Sequence, residues 1–275
     1  MTERAYHFGS HGGLVGVVCE PDRPVAQAPM VLFTNVGLNH RVGPNRTWVE
    51  LARTLAEAGY LSLRFDSSGL GDSDPRPGVQ SDAEQSVLDL REAMEFLGRR
   101  RGGGSFVLVG NCSGVDALHR VAVSDASVVG AIAIDGYTYR NEGYGHRRRL
   151  SFLEPRRWRR RLRQMRFFGE GRAVGDVTEV WKRDIPTQEA FSADLDVMVR
   201  RNVRLLFVFT SGADQRLNHA GQFHDTFGHR SEVEVAWFPR ADHLFSGCEE
   251  RRKLLLTIRS FLVRHWPRTD RASAS

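Results

Sequence analysis

The stretch Gly110-Asn111-Cys112-Ser113-Gly114 carries a thiol with a glycine two positions away on either side. It follows the apolar run Phe106-Val107-Leu108-Val109 and leads straight into a helix-forming stretch, Ser113–Val123. A side chain at such a strand-to-helix junction stands on a sharp turn. Its neighbours two residues away must be small, and Gly110 and Gly114 meet that demand. The N-terminus of the helix favours an anion and lowers the pKa of a thiol. A thiolate held there is a nucleophile for a carbonyl carbon, and the Ser113 amide is placed to donate to the oxyanion that attack creates. The competing reading, an inert buried thiol, leaves the paired glycines without a purpose.

A thiol needs a base. His243 lies in Arg240-Ala241-Asp242-His243-Leu244-Phe245, just past the apolar run Val233–Phe238. A loop histidine in that place titrates near neutral pH. His40, His119 and His219 are its rivals, and His119, on the helix after the thiol, reads as structural. An aspartate is also needed to hold the imidazole in one tautomer and to stabilise the imidazolium. Two follow buried runs: Asp135 ends Val128–Asp135, and Asp214 comes after Val203–Thr210.

The elements that must position these groups are short apolar runs alternating with helical periods. Ala5–Phe8 and Leu14–Cys19 read as a hairpin. Met30–Asn35, Leu61–Asp66, Ser105–Gly110, Val128–Asp135, Val203–Thr210 and Val233–Phe238 read as buried strands. Arg46–Gly59, Asp82–Arg100, Ser113–Val123, Ala220–Gly228 and Glu249–His265 read as helices. Alternating strands and helices imply a mostly parallel, twisted sheet covered on both faces, with its chemistry beyond the carboxyl ends of the strands. The expected organisation is a core of residues 1–136 and 186–266, an insert at 137–185, and a frayed tail at 267–275.

With 41% apolar and 26% charged residues the chain reads as globular. It has no apolar run near the ~20 residues of a membrane span and no secretory-signal layout, so a cytoplasmic location is expected. Cys19, Cys112 and Cys248 are too scattered for a disulfide framework or a zinc site. Nothing suggests a metal or an organic cofactor.

Beyond the thiol turn, several stretches carry a likeness. They are Asn35–Arg46 (NVGLNHRVGPNR), Leu63–Ser73 (LRFDSSGLGDS), Ser211–Asp214 and Ala241–His243. With them the chain resembles the α/β-hydrolase superfamily across roughly residues 28–265. Within it the chain is similar to the cysteine-bearing hydrolases found beside exosortase systems. Dienelactone hydrolases and cysteine-dependent Dieckmann cyclases share the cysteine turn. The resemblance implies an α/β-hydrolase fold with a cap and a Cys-His-Asp triad. That triad is Cys112, His243 and Asp214, with Asp135 as the alternative acid. It also implies an oxyanion hole from the Val36 and Ser113 amides, and Gly37, Leu38 and His40 near the substrate. Asp66 and Asp72 read as turn builders around Gly69 and Gly71.

The chemistry implied is acyl transfer through an acyl-cysteine. Exchange between a thioester and a thiolate is near-neutral in energy, so thioesters or activated esters are the expected substrates, in a thioesterase or a cyclase. A plain carboxylesterase or lactone hydrolase is the enzymatic alternative, and an accessory protein on a hydrolase scaffold the non-enzymatic one. In the insert, Arg147–Leu162 interleaves arginines with Leu150, Phe152, Leu153 and Trp158. Besides a merely solvated cap, this basic segment suits docking of an acyl carrier protein or the phosphates of coenzyme A. Contact with anionic lipid is a further reading. No nucleic-acid motif accompanies it, and no nucleic-acid partner is expected.

Overall fold

The computed structural model describes residues 1–10, 12–78, 81–141, 144, 183–211, 217 and 219–268. Its strands are β1 (Thr2–Phe8), β2 (Leu14–Glu20), β3 (Met30–Phe33), β4 (Ser62–Asp66), β5 (Phe106–Asn111), β6 (Val128–Ile134), β7 (Arg204–Thr210) and β8 (Val233–Phe238). Its helices are α1 (Thr47–Glu57), α2 (Asp82–Arg101), α3 (Gly114–Ser124), α4 (Gln188–Arg200), α5 (Gln222–Phe227) and α6 (Cys248–His265). The strands form one sheet in the order β1-β2-β4-β3-β5-β6-β7-β8. The β1–β2 and β2–β4 pairs are antiparallel. From β4 through β3 to β8 every pair is parallel. This is the mostly parallel sheet expected from the alternating pattern, in the α/β-hydrolase arrangement that the resemblance implies.

The central strands β3, β4 and β5 are buried along their whole length. Parallel strands covered on both faces must be apolar on both. One face packs Leu90, Met94 and Leu97 of α2, Val115, Leu118 and Val121 of α3, and Phe191, Leu195 and Met198 of α4. The other packs Trp48, Leu51 and Leu55 of α1 with Leu254, Ile258, Phe261 and Leu262 of α6.

Strand order reverses at β3, whose neighbours are β4 and β5. A crevice opens at such a switch point beyond the carboxyl ends of the strands. The loop after β3 and the turn after β5 meet there.

Helix α4 was not foreseen. Its signal is the Phe191, Leu195, Met198 spacing behind a Thr187 cap whose hydroxyl accepts the Ala190 N–H at 3.2 Å. It lies within the expected core, just after the 137–185 insert. The helix expected from Arg46 starts at Thr47, because Asn45 and Arg46 have left-handed backbone (φ 50° and 65°). Most of the expected 137–185 insert, including Arg147–Leu162, lies outside the described residues. No helix among those described is long and apolar enough to cross a membrane.

Candidate active site

Cys112 occupies the turn between β5 and α3 with φ 55°, a left-handed conformation that costs a non-glycine residue about 1–2 kcal/mol. The surroundings hold it there. The Cys112 N–H donates to Ile134 O at 2.9 Å, and the Val115 N–H donates to Cys112 O at 3.1 Å. The turn is tight enough that a Cβ on Gly110 would sit 2.8 Å from both Gly114 O and Thr34 Oγ1. Gly114 is likewise pressed against Asn35 O and Thr34 Oγ1. The two glycines flanking the cysteine are therefore packing requirements.

His243 arrives from the loop after β8. Asp242 builds that loop by accepting the Leu244 N–H at 3.0 Å and the Ser246 N–H at 3.1 Å. Asn45 Nδ2 donates to Leu244 O at 3.0 Å, and Ser211 Oγ donates to Ala241 O at 2.7 Å. Together they fix the imidazole over the end of the sheet. Its Nδ1 lies 2.8 Å from Asp135 Oδ2. An ionised carboxylate accepts but cannot donate. Nδ1 therefore carries the proton, and Nε2 is the ring nitrogen left to interact with Cys112.

Asp135 directly follows β6 and is buried. Like Cys112 it has left-handed backbone, φ 45°. Its own N–H donates to Val208 O at 2.8 Å, and its Oδ1 accepts the Thr210 N–H at 2.7 Å. The Thr210 hydroxyl donates to Oδ2. Each carboxylate oxygen is thus satisfied by fixed donors, as a buried charge requires. Asp214, the first-choice acid, lies outside the described residues. The Nδ1 position assigned to it is filled here by Asp135.

The charges reinforce one another. The Asp135 hydrogen bond, then the Cys112 hydrogen bond, push the His243 pKa up to about 10 against the opposing effect of burial. Burial raises the Cys112 thiol, but the His243 hydrogen bond and charge, the Arg183 charge and the Ser113 amide outweigh it and hold the thiol below its ordinary value. The arrangement favours a thiolate–imidazolium pair.

Beside the turn lies a cavity of about 480 Å³ between the β3 and β4 loops, the start of α2 and the first turns of α3. Gly37, Leu38 and Ser113 line it. The Gly37 N–H donates to Ser113 Oγ at 2.8 Å, which ties the β3 loop to the elbow. Val36 is buried, and its carbonyl accepts both the Asn39 N–H and Asn39 Nδ2 at 2.9 Å. His40 is exposed and is not among the lining residues. His119 is buried against Tyr137 and Phe191 and lies 3.1 Å from Asp194. Asp66 takes the Arg41 and Asp72 N–H groups, the turn-building role expected of it.

Thr210, Asn111, Asp116 and Arg183 were not foreseen as site residues. Asn111 sits beside the cysteine, with Nδ2 donating to His243 O at 3.4 Å. No spacing in the chain announces contacts that cross so many residues.

A family model described as "Alpha/beta hydrolase family" matches residues 10–255. No curated protein matches the chain by sequence. Many solved structures share its fold. An alpha-beta serine hydrolase homologue from Coxiella burnetii is 16% identical, with a TM-score of 0.56 over 96% of this chain and 98% of that one. The alpha/beta hydrolase GrgF from a Penicillium species is 17% identical, with a TM-score of 0.57 over 97% and 99%. An esterase from Pyrococcus furiosus is 12% identical, with a TM-score of 0.62 over 97% and 93%.

Proposed function

The chain belongs to the alpha/beta hydrolase family, and on that premise we propose that it is an acyl hydrolase or acyltransferase working through Cys112, His243 and Asp135 on thioesters or activated esters. The observation that carries this reading is a cysteine held in a left-handed turn whose thiol is coupled to His243, an imidazole that buried Asp135 meets at 2.8 Å. The same position carries the nucleophile in serine enzymes of this fold. Sulfur in its place changes which substrates suit the site.

In the first step the Cys112 thiolate attacks the acyl carbonyl. The oxyanion is met by the Ser113 amide and the β3 loop, a contribution of about 3 kcal/mol per donor. The new C–S bond forms as the substrate's own C–S or C–O bond breaks. The His243 imidazolium gives its proton to the departing thiolate or alkoxide. In the second step His243 takes a proton from water, or from another nucleophile, which attacks the acyl-cysteine. The Cys112 thiolate is expelled, which restores the thiolate–imidazolium pair. Thioester-to-cysteine exchange is close to isoenergetic. An amide would have to expel the poorer leaving group.

The test is pre-steady-state thiol release from an acyl thioester. A burst equal to the enzyme concentration, absent in Cys112→Ala, is expected. Equal turnover of simple esters and thioesters without a burst would favour a plain esterase. No turnover, together with slow alkylation of Cys112, would favour a non-catalytic role. We further propose that the arginines of Arg147–Leu162 dock an acyl carrier protein or coenzyme A. Loss of a carrier-linked substrate's advantage at high salt would support it.

A further inference from the structure

One cation in the cavity has no role in the steps above. Arg183 comes just before α4 and lines the cavity with Ser113, Gly114 and Asp116. Its side chain is 20% exposed. Holding a guanidinium so far from water is costly unless every donor has a task. Asp116, in the first turn of α3, accepts Nε at 3.0 Å and Nη2 at 2.6 Å. The group also lies 5.6 Å from the centre of the Tyr137 ring. Nη1, with two hydrogens, has no protein acceptor among the described residues.

We propose that Arg183 Nη1 binds a neutral oxygen acceptor on the acyl group, a ketone or amide oxygen within a few bonds of the scissile carbonyl. This names the substrate class of the site and rests on Cys112 being the nucleophile. Position supports it, because the guanidinium lines the same cavity as Ser113 and Gly114, the residues that follow Cys112. Neutrality of the acceptor follows from the charges around it. Asp116 already balances Arg183, and Arg120 pairs with Asp184 at 2.6 Å. The lining holds three carboxylates (Asp82, Asp116 and Asp184) against two guanidiniums. A carboxylate on the substrate would add a further negative charge next to Asp116 and the thiolate. A carbonyl dipole accepts the same hydrogen bonds without that repulsion. Arg183 thereby selects oxygen-bearing acyl groups over plain aliphatic ones.

The experiment compares N-acetylcysteamine thioesters that differ in one oxygen: acetoacetyl with butyryl, and levulinyl with pentanoyl. Succinyl is the anionic control. Acylation rates are read by intact mass on the full chain. In at least one pair the oxygen-bearing thioester should react about tenfold faster or more, the discrimination a hydrogen bond to a charged group gives. Succinyl should be slower than levulinyl. The preference should collapse towards one in Arg183→Gln. Arg183→Lys keeps a charge for Asp116 but removes the Nη1 donors, so it carries the test if Arg183→Gln does not fold. Equal rates within both pairs for the wild type, or a preference that survives in either folded variant, overturns the proposal while leaving Cys112 as nucleophile. A fastest reaction with succinyl overturns the neutral-acceptor claim. Absence of a Cys112 adduct with every thioester removes the parent reading and this one with it.

Discussion

Replacing Asp135 with asparagine should move the pH at which Cys112 becomes reactive upward by about one to two units. The Asp135 side chain is 2% exposed and meets His243 Nδ1 at 2.8 Å. A hydrogen bond between charged partners contributes about 1.5–3 kcal/mol net. About 1.4 kcal/mol corresponds to one pKa unit. Asparagine keeps an oxygen but loses the charge, so the imidazolium falls back from its raised pKa of about 10. The thiolate then loses the cation that holds its own pKa down. The assay is pseudo-first-order alkylation by iodoacetamide across the pH range, with circular dichroism and thermal melting to establish folding. The wild type should hold a high rate well below the ordinary thiol range. The variant should lose up to about 10- to 100-fold of that rate near neutrality. A folded Asp135→Asn protein with an unchanged profile would refute the reasoning. The shift appearing in Asp214→Asn instead would move the acid to the loop after β7.

Further outcomes follow from the same geometry. Thr210→Val removes the hydroxyl that donates to Asp135 and should cut acylation about tenfold, about 1–1.5 kcal/mol, with little change in KM. Gly110→Ala places a Cβ 2.8 Å from Gly114 O and should cost about 1–3 kcal/mol, read as a lower Tm and a slower alkylation of Cys112. The folded-state pKa of His243 lies above its unfolded value. Its contribution to stability is therefore complete below pH 6.5 and is lost as pH rises from there through about 10, so His243→Gln should flatten the fall in Tm across that window. Cys112→Ser should lose alkylation and the thiol burst while its Tm changes little, because the turn geometry is set by Gly110 and Gly114.

The sheet and the elbow were legible because local rules decide them. Buried parallel strands must be apolar on both faces, and Val107-Leu108-Val109 leaves no other element for those residues. The glycines about Cys112 announce a turn that no larger side chain allows. His243 was readable from its place after the last strand. The carboxylate that meets it was less so. Asp135 and Asp214 each follow a strand, and only the meeting of the loop after β6 with that after β8 brings one carboxylate to Nδ1. Thr210 and Arg183 were invisible for a similar reason: their partners, Asp135 and Asp116, are far away in sequence. α4 is a different case. Its apolar spacing is clear once Thr187 is taken as a cap, but Phe191, Leu195 and Met198 are the only three side chains it buries, a weak period to read without that cap.

Acid quenching of a reaction with an acyl thioester, followed by peptide mapping, puts the nucleophile itself to the test. The acyl mass should appear on the peptide containing Cys112, accumulate in His243→Gln less than in the wild type, and vanish in Cys112→Ala. Thioester turnover undiminished in Cys112→Ala, or an acyl group mapped to Ser113 or another side chain, would contradict the account.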